Sequence, residues 1–196
     1  MASGLSCPVG FKNGTDGGVK IAVDAVLAAS QPHHFLAVTK EGRAAIAATR
    51  GNDDGHIVLR GGKAPNYDAA SIAAAAAALA KAGLPPRLIV DASHANSGKD
   101  HENQPGVVAD LCGQLAGGET RIMGVMVESC LVAGRQALIQ GKPLVYGQSI
   151  TDACVGWETS VKVLEDLAGA VRARRRRTGG GAGRPCGATV GLDALA

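Results

Sequence analysis

Aromatic residues are scarce in this chain of 196 residues: two Phe, two Tyr and one Trp make up 3% of the sequence. So few rings argue against a surface that stacks the bases of single-stranded nucleic acid. No apolar run approaches the ~20 residues that a membrane span requires. The N-terminal sequence MASGLSCPVGFKNG also lacks the basic start and apolar stretch of a secretory signal. The sequence therefore predicts a cytoplasmic protein that does not bind membranes.

An excess of positive charge is also missing from most of the chain. The formal net charge is +3, but residues 172–196 hold six Arg and one Asp, so the other 171 residues sum to −2. Nothing in this mildly acidic body points to a polyanion such as DNA. From residue 174 onward Arg, Gly and Pro dominate without periodicity, which predicts a disordered, solvated tail. Nucleic-acid binding by this tail is the weakest hypothesis.

Paired cysteine motifs and a dinucleotide fingerprint are absent as well. The number of cysteines is odd and no CxxC occurs, so reduced thiols are predicted rather than a disulfide framework. No GxGxxG follows a strand into a helix, which argues against a Rossmann fold. The five cysteines are Cys7, Cys112, Cys130, Cys154 and Cys186.

The chain does contain apolar segments in which strand and helix patterns alternate. Continuous Val/Ile runs are typical of strands buried on both faces, hence of a parallel sheet covered by helices. The pattern predicts an α/β fold with four main strands, an extra extended run at 34–39 and a Gly-rich loop at 131–156. The predicted strands are 7–12, 57–59, 87–91 and 122–128, and the predicted helices are 19–29, 71–82, 107–116 and 159–172.

Polar residues follow all four main strands. Lys12 and Arg60 end two of them, and such cations are the usual ligands of phosphate and carboxylate. Arg60 precedes Gly61 and Gly62, which would let backbone N–H groups approach an anion. Because α/β barrels collect their active sites at the carboxyl ends of strands, we expect an anion site there. The alternative is a pair of solvated charges.

A second set of residues suits a metal ion. His94 and Glu128 follow the other two strands, and Asp152 lies in the loop segment SITDAC. One imidazole and two carboxylates are suitable ligands for Mn²⁺, Fe²⁺ or Zn²⁺. Their long spacing means that only the fold could bring them together. The alternative is a capped strand end and two surface carboxylates.

Five strings are specific enough to indicate a family. The segments GLSCPVGFKNGTDG, HIVLRGGKAPNY, LIVDASHANSGKD, GVMVES and SITDACVGWE occur in this order between about residues 2 and 174. Together they resemble type I 3-deoxy-D-arabino-heptulosonate 7-phosphate (DAHP) synthase. The resemblance implies a metal-dependent, homo-oligomeric (β/α)₈ TIM barrel. Such an enzyme condenses phosphoenolpyruvate with erythrose 4-phosphate in the first step of the shikimate pathway of aromatic amino acid biosynthesis.

The resemblance also implies roles for particular residues. Lys12 would contact phosphoenolpyruvate and Arg60 its phosphate, and His94 would bind the metal close to that phosphate. Lys12 and His94 would thus be catalytic, and Glu128 and Asp152 would complete the metal ligands. A divalent metal would polarise the aldehyde oxygen of erythrose 4-phosphate as a Lewis acid.

The resemblance further implies an effector pocket for aromatic amino acids. Ser6 and Phe35 are similar to positions that line this pocket in the family. The phenylalanine-sensitive type usually has Ser at the position of Ala37. The identity of an effector is therefore left open.

The family pattern is only half present. The four strands resemble the C-terminal half of the barrel, and strings of the GPCS, KPRT and GARTT types, which carry a Cys metal ligand and further cations, do not occur. We therefore expect a truncated synthase. Because a half-barrel has two open sheet edges, the alternative is a non-catalytic half-barrel that pairs with itself or with a full-length synthase.

Overall fold

A sheet of four parallel strands forms the centre of the protein. The computed structural model describes residues 1–179. The strands lie in the order β1-β4-β5-β6, and every neighbouring pair is parallel. The strands are β1 (Val9–Lys12), β2 (His34–Val38), β3 (Ala44–Ala48), β4 (Gly55–Leu59), β5 (Leu88–Asp91), β6 (Ile122–Met126), β7 (Val132–Arg135) and β8 (Gln148–Ser149). The helices are α1 (Lys20–Ala29), α2 (Ala69–Lys81), α3 (Gln104–Ala116) and α4 (Trp157–Arg177).

The hydrophobic core lies between this sheet and the helices. Strand residues such as Leu59 and Val90 pack against helix residues such as Ile72 and Leu111, and all four are at most 1% exposed. Each fully buried side chain of this size contributes about 1.5–3 kcal/mol to folding. The core therefore holds the four strands in register, so that their carboxyl ends meet at one edge of the sheet.

The sheet does not close within residues 1–179. Strand β1 pairs only with β4, and β6 pairs only with β5, so both outer strands have a free edge. The prediction of four main parallel strands, arranged as half of a barrel, is confirmed.

The structure contains short strands that the sequence did not predict. The extended run at 34–39 is β2, and it forms an antiparallel hairpin with β3, in which Leu36 lies opposite Ile46. Strand β3 reads AAIAA, and alanine has little strand propensity, which explains why it was missed. Strands β7 and β8 likewise lie inside the segment that was predicted as a loop.

Helix α4 is longer than predicted. It runs to Arg177 rather than Arg172, so Arg174–Arg177 are helical and the predicted start of a disordered tail at residue 174 was wrong. The guanidinium of Arg174 donates hydrogen bonds to the carbonyls of Glu119 and Ile122, which anchors the last helical turns. The rest of the predicted tail, with Cys186, lies outside the described residues from 180 onward. In the part that is described, no helix is long and apolar enough for a membrane crossing.

Candidate metal and anion site

Three side chains far apart in sequence meet at the carboxyl edge of the sheet. His94 lies in the loop after β5, Glu128 follows β6, and Asp152 follows β8. One potential ligand atom from each residue lies within 4.8 Å of the others. The Nε2 atom of His94 is 3.7 Å from Oε1 of Glu128. The structure thus brings together the three residues proposed as metal ligands, and their donor set fits Mn²⁺, Fe²⁺ or Zn²⁺.

The His94 ring is oriented by its Nδ1 atom. This atom lies 3.0 Å from Oδ2 of Asp91 and 2.7 Å from Oγ of Ser93. Because the Ser93 hydroxyl itself donates to Asp91, it is free to accept from His94. This pattern fits a proton on Nδ1, which leaves the Nε2 lone pair directed at Glu128 and available to a metal.

Asp91 connects the candidate metal site to Lys12. Its carboxylate is fully buried and accepts a 2.7 Å hydrogen bond from the Lys12 ammonium. Burial alone would raise the pKa of Asp91, but hydrogen bonds from Lys12 and Ser93 outweigh this effect and lower the pKa. Asp91 was not predicted as a site residue. A carboxylate at the end of an apolar strand, three residues before a candidate ligand, was the signal that could have identified it.

Arg60 lies at the end of β4, as predicted, but the two following glycines have a different role from the expected one. The Gly61 N–H donates to the side chain of Asn66, and the Gly62 N–H donates to the carbonyl of Ala64. Neither amide is free to bind an anion in this arrangement. The glycines instead permit close packing, since a Cβ on Gly62 would lie 2.2 Å from the backbone nitrogen of Gly17.

Three asparagines join the loops that carry the site. Asn13 accepts from the Arg60 N–H at 2.7 Å and donates to the Gly61 carbonyl. Asn66 donates its side-chain amide to Asn13, and its backbone N–H donates to the side chain of Asn96. Asn96 in turn donates to the carbonyl of Asp91. This chain of bonds fixes the loops after β1, β4 and β5 relative to one another.

Gln104 fixes the segment that carries Glu128. It is fully buried at the start of α3, accepts from the Glu128 N–H at 2.9 Å and donates to the Glu128 carbonyl at 3.2 Å. It thus pairs with the Glu128 backbone as a neighbouring strand would. Nothing in the sequence indicates this role, because a lone Gln near a helix start is usually a surface residue.

These side chains surround a cleft of about 500 Å³. Arg60 and the three proposed metal ligands line it, whereas Lys12 does not line it and is hydrogen-bonded to Asp91. Lys99 and Arg135, which the sequence did not single out, also line the cleft. Its full lining is Arg60, Ser93, His94, Ser97, Lys99, His101, Gln104, Glu128, Arg135, Asp152 and Ala153.

The two predicted effector residues lie elsewhere. Phe35 lines a separate cleft of about 580 Å³ between α1 and the β2–β3 hairpin, and Ser6 is exposed and does not line that cleft. Their role therefore stays a prediction.

Sequence comparison identifies relatives of this chain. Residues 1–165 match the DAHP synthetase I family. The chain belongs to this family. It is 60% identical over 175 residues to the Phe-sensitive phospho-2-dehydro-3-deoxyheptonate aldolase of Escherichia coli strain K12. It is also 53% identical over 174 residues to the Trp-sensitive enzyme of Enterobacter agglomerans. These matches cover 89% of this chain and 50% of each relative.

A solved structure of the same kind has a matching fold. The phospho-2-dehydro-3-deoxyheptonate aldolase of Francisella tularensis SCHU S4 superposes with a TM-score of 0.84 at 52% sequence identity, over 89% of this chain and 51% of that one. The chain thus spans about half the length of the DAHP synthase relatives it matches. The predicted resemblance is confirmed.

Proposed function

We propose that this chain carries the metal-binding and phosphoenolpyruvate-binding half of a DAHP synthase. The observation that supports this proposal is the meeting of His94, Glu128 and Asp152 beside Arg60, in a chain of the DAHP synthetase I family. In the proposed reaction the methylene carbon of phosphoenolpyruvate bonds to the aldehyde carbon of erythrose 4-phosphate. Water then adds at the former enol carbon. The bond between this carbon and the phosphate ester oxygen breaks, and phosphate leaves.

The residues of this chain bind and orient the anionic substrate. Arg60 presents a planar guanidinium that can hold a phosphate through two parallel hydrogen bonds. The Lys12 ammonium is fixed by Asp91 and 34% of the Lys12 side chain is exposed; its contact with phosphoenolpyruvate is the role that the family resemblance implies. Fixed cations of this kind act by positioning and by stabilising developing charge. Lys12, Arg60 and His94 are accordingly the proposed substrate-binding residues.

His94, Glu128 and Asp152 are the proposed ligands of the divalent ion. When bound, the ion would supply Lewis-acid polarisation of the aldehyde. The Asp91 carboxylate holds His94 in the tautomer that ligation needs, and Gln104 fixes the backbone of Glu128. Two of the three proposed ligands, His94 and Glu128, are thus held by a buried polar partner, which is typical of metal sites in proteins.

Two measurements test the proposal. Mn²⁺ titration followed by calorimetry should show one site per chain, and Glu128→Gln should abolish it, whereas Glu165→Gln on α4 should leave it unchanged. Loss of phosphoenolpyruvate on addition of erythrose 4-phosphate and Mn²⁺ tests the activity. Metal binding without turnover would leave the site assignment intact and contradict catalysis by this chain.

The second candidate is a non-catalytic half-barrel that pairs with another copy or with a full-length synthase. The free edges of β1 and β6 favour it, because unpaired parallel strands offer backbone groups to a partner. Sedimentation of the 196-residue chain distinguishes the two candidates when combined with the turnover assay. Dimers without turnover support pairing, and a monomer that turns over contradicts it.

A further inference from the structure

Arg60 is the first residue after strand β4, and the backbone ladder of the sheet ends just before it. The last residues paired between β4 and β5 are Leu59 and Val90. Among residues 1–179 the Arg60 guanidinium forms no ion pair, and the only hydrogen bond from Arg60 to a side chain is made by its backbone N–H. The place of the guanidinium in the cleft therefore depends on how the backbone around Arg60 is held.

The side chain of Asn13 holds this backbone on both sides of Arg60. Its amide oxygen accepts from the Arg60 N–H at 2.7 Å, and its amide NH₂ donates to the Gly61 carbonyl at 2.9 Å. One bond thus precedes the Arg60 side chain and the other follows it. Because both come from one planar amide, the chain before Arg60 and the chain after it cannot move independently.

The Asn13 amide is itself fixed in one orientation. Its NH₂ also donates to the Gly14 carbonyl at 2.7 Å, and its oxygen also accepts from the Asn66 side chain at 3.3 Å. Two donors and two acceptors are the full capacity of an amide, and all of them are used here although Asn13 is only 3% exposed. A hydroxyl or an aliphatic side chain of similar size cannot make these four bonds at once.

Asn13 also directly follows Lys12, the second cation proposed to bind phosphoenolpyruvate. The β1–β4 ladder pairs Lys12 with Val58, and the Asn13 N–H extends it by donating to the Val58 carbonyl at 3.1 Å. The Lys12 ammonium is held separately by Asp91. The backbone of Asn13 is therefore tied to the Lys12 end of β1, while its side chain is tied to Arg60.

We propose that Asn13 is a positioning residue that sets the spacing between the Lys12 and Arg60 cations. This inference rests on the proposed function, since it takes these two cations as the pair that binds phosphoenolpyruvate. Asn13 does not line the cleft, so it acts through Arg60 rather than by touching the substrate. Two cations hold one phosphate only where their separation matches its oxygens, and small misplacements of such groups are costly.

The experiment measures binding of phosphoenolpyruvate and of Mn²⁺ to the 196-residue chain by calorimetry. Asn13→Ala should weaken phosphoenolpyruvate about tenfold, the effect of losing one charge-assisted hydrogen bond, and should change Mn²⁺ affinity less than about twofold. Asn52→Ala is the matched control. Asn52 is 5% exposed and its side chain donates to the carbonyls of Ala2 and Cys7, away from the cleft. Its loss should lower stability and leave both affinities unchanged.

The Arg60→Gln background shows whether Asn13 acts through Arg60. In this background Asn13→Ala should weaken phosphoenolpyruvate by less than about twofold, because the guanidinium that it positions is already absent. A residue that only stabilises the fold would weaken binding equally in both backgrounds. Circular dichroism verifies folding. If Asn13→Ala does not fold, Asn13→Ser and Asn52→Ser, which each keep one hydrogen-bonding oxygen, are compared in the same way.

The outcomes separate this inference from the proposed function. Equal losses of phosphoenolpyruvate and Mn²⁺ affinity in the Asn13 variant, or the same loss with and without Arg60, would overturn the positioning role while the proposed function stands. Unchanged phosphoenolpyruvate affinity in a folded Asn13 variant would do so too. Failure of the folded wild-type chain to bind phosphoenolpyruvate would refute the proposed function and, with it, the role of Asn13.

Discussion

Replacing Asp91 by Asn provides the most direct test of how the site is held together. The Asp91 carboxylate is fully buried and accepts from Lys12, Ser93 and His94. Asn has the same shape, and its oxygen can still accept from Ser93. Its amide NH₂, however, would face the Lys12 ammonium and the Nδ1–H of His94. The substitution therefore places hydrogen-bond donors next to other donors, and it removes the counter-ion of Lys12.

The loss of stability expected for Asp91→Asn follows from the burial of Asp91 and Lys12. Breaking a fully buried ion pair costs about 3–5 kcal/mol. Because 34% of the Lys12 side chain is exposed, water compensates part of this loss, and we expect about 2–3 kcal/mol for Asp91→Asn. Lys12→Met removes the other partner. In the double variant Asp91→Asn/Lys12→Met the two losses of stability should not add. The interaction energy from this double-mutant cycle should be about 2 kcal/mol.

Urea unfolding followed by circular dichroism measures these free energies of unfolding. Asp24→Asn serves as the control, because the Lys20–Asp24 pair is exposed and should contribute less than about 0.5 kcal/mol. Mn²⁺ titration of the same variants should show an affinity about 10–100-fold lower for Asp91→Asn, since its partner His94 loses its orientation. A stability change below about 0.5 kcal/mol, or a coupling of zero, would refute the reasoning.

Three further substitutions test other parts of the structure. Gln104→Leu should lower stability by about 1–3 kcal/mol and weaken Mn²⁺ binding, because the Glu128 N–H loses its hydrogen-bond acceptor. An unchanged Mn²⁺ affinity would show that Gln104 does not position Glu128. Gly62→Ala should destabilise by about 1–3 kcal/mol through its clash with Gly17, whereas Gly106→Ala in α3, where a Cβ meets no atom, should be neutral or stabilising. Asp68→Ala should cost about 1 kcal/mol at neutral pH and Asp68→Asn little, because Asp68 caps α2 and Asn caps equally well. Hydrogen bonds from Ser71 and the backbone hold the pKa of Asp68 below its ordinary 3.8. The charged cap therefore stabilises the protein above that pH, and this contribution is lost as the pH falls. To measure the loss, the urea midpoints of the wild type and Asp68→Asn are compared at pH 7 and at pH 3.

The sequence was sufficient to predict the main strands and to select three residues that the fold brings together, His94, Glu128 and Asp152. Val/Ile runs such as the one ending at Val90 have few alternatives to a buried strand, and parallel strands bring their carboxyl ends together. His94 and Glu128 could therefore be predicted to lie near each other. Asp91 was missed although it ends a strand three residues before His94, because its contact with Lys12, 79 residues away, is defined only by the fold.

The glycines and the short strands were misjudged because local sequence does not determine their roles. Gly61 and Gly62 were expected to expose amides to a ligand, and their amides are instead bonded within the protein. The Gly134 carbonyl pairs with the Cys154 N–H in a segment predicted as a loop, which only the folded arrangement defines. In both cases a contact with a distant segment decides the conformation.

The interlocked loops around Gly17, Gly61 and Ala95 have a consequence for how the protein opens. A Cβ on Gly61 would come within 2.8 Å of the backbone nitrogen of Asn96, and a Cβ on Gly62 within 2.2 Å of that of Gly17, so these loops pack closely against each other's backbone. Partial, subglobal unfolding of one loop must therefore release the others. Amide hydrogen exchange across Asn13, Gly61 and Asn96 would then occur as one cooperative event. The proposed anion binding and metal binding would then be lost and regained together, even under conditions where the helices stay intact.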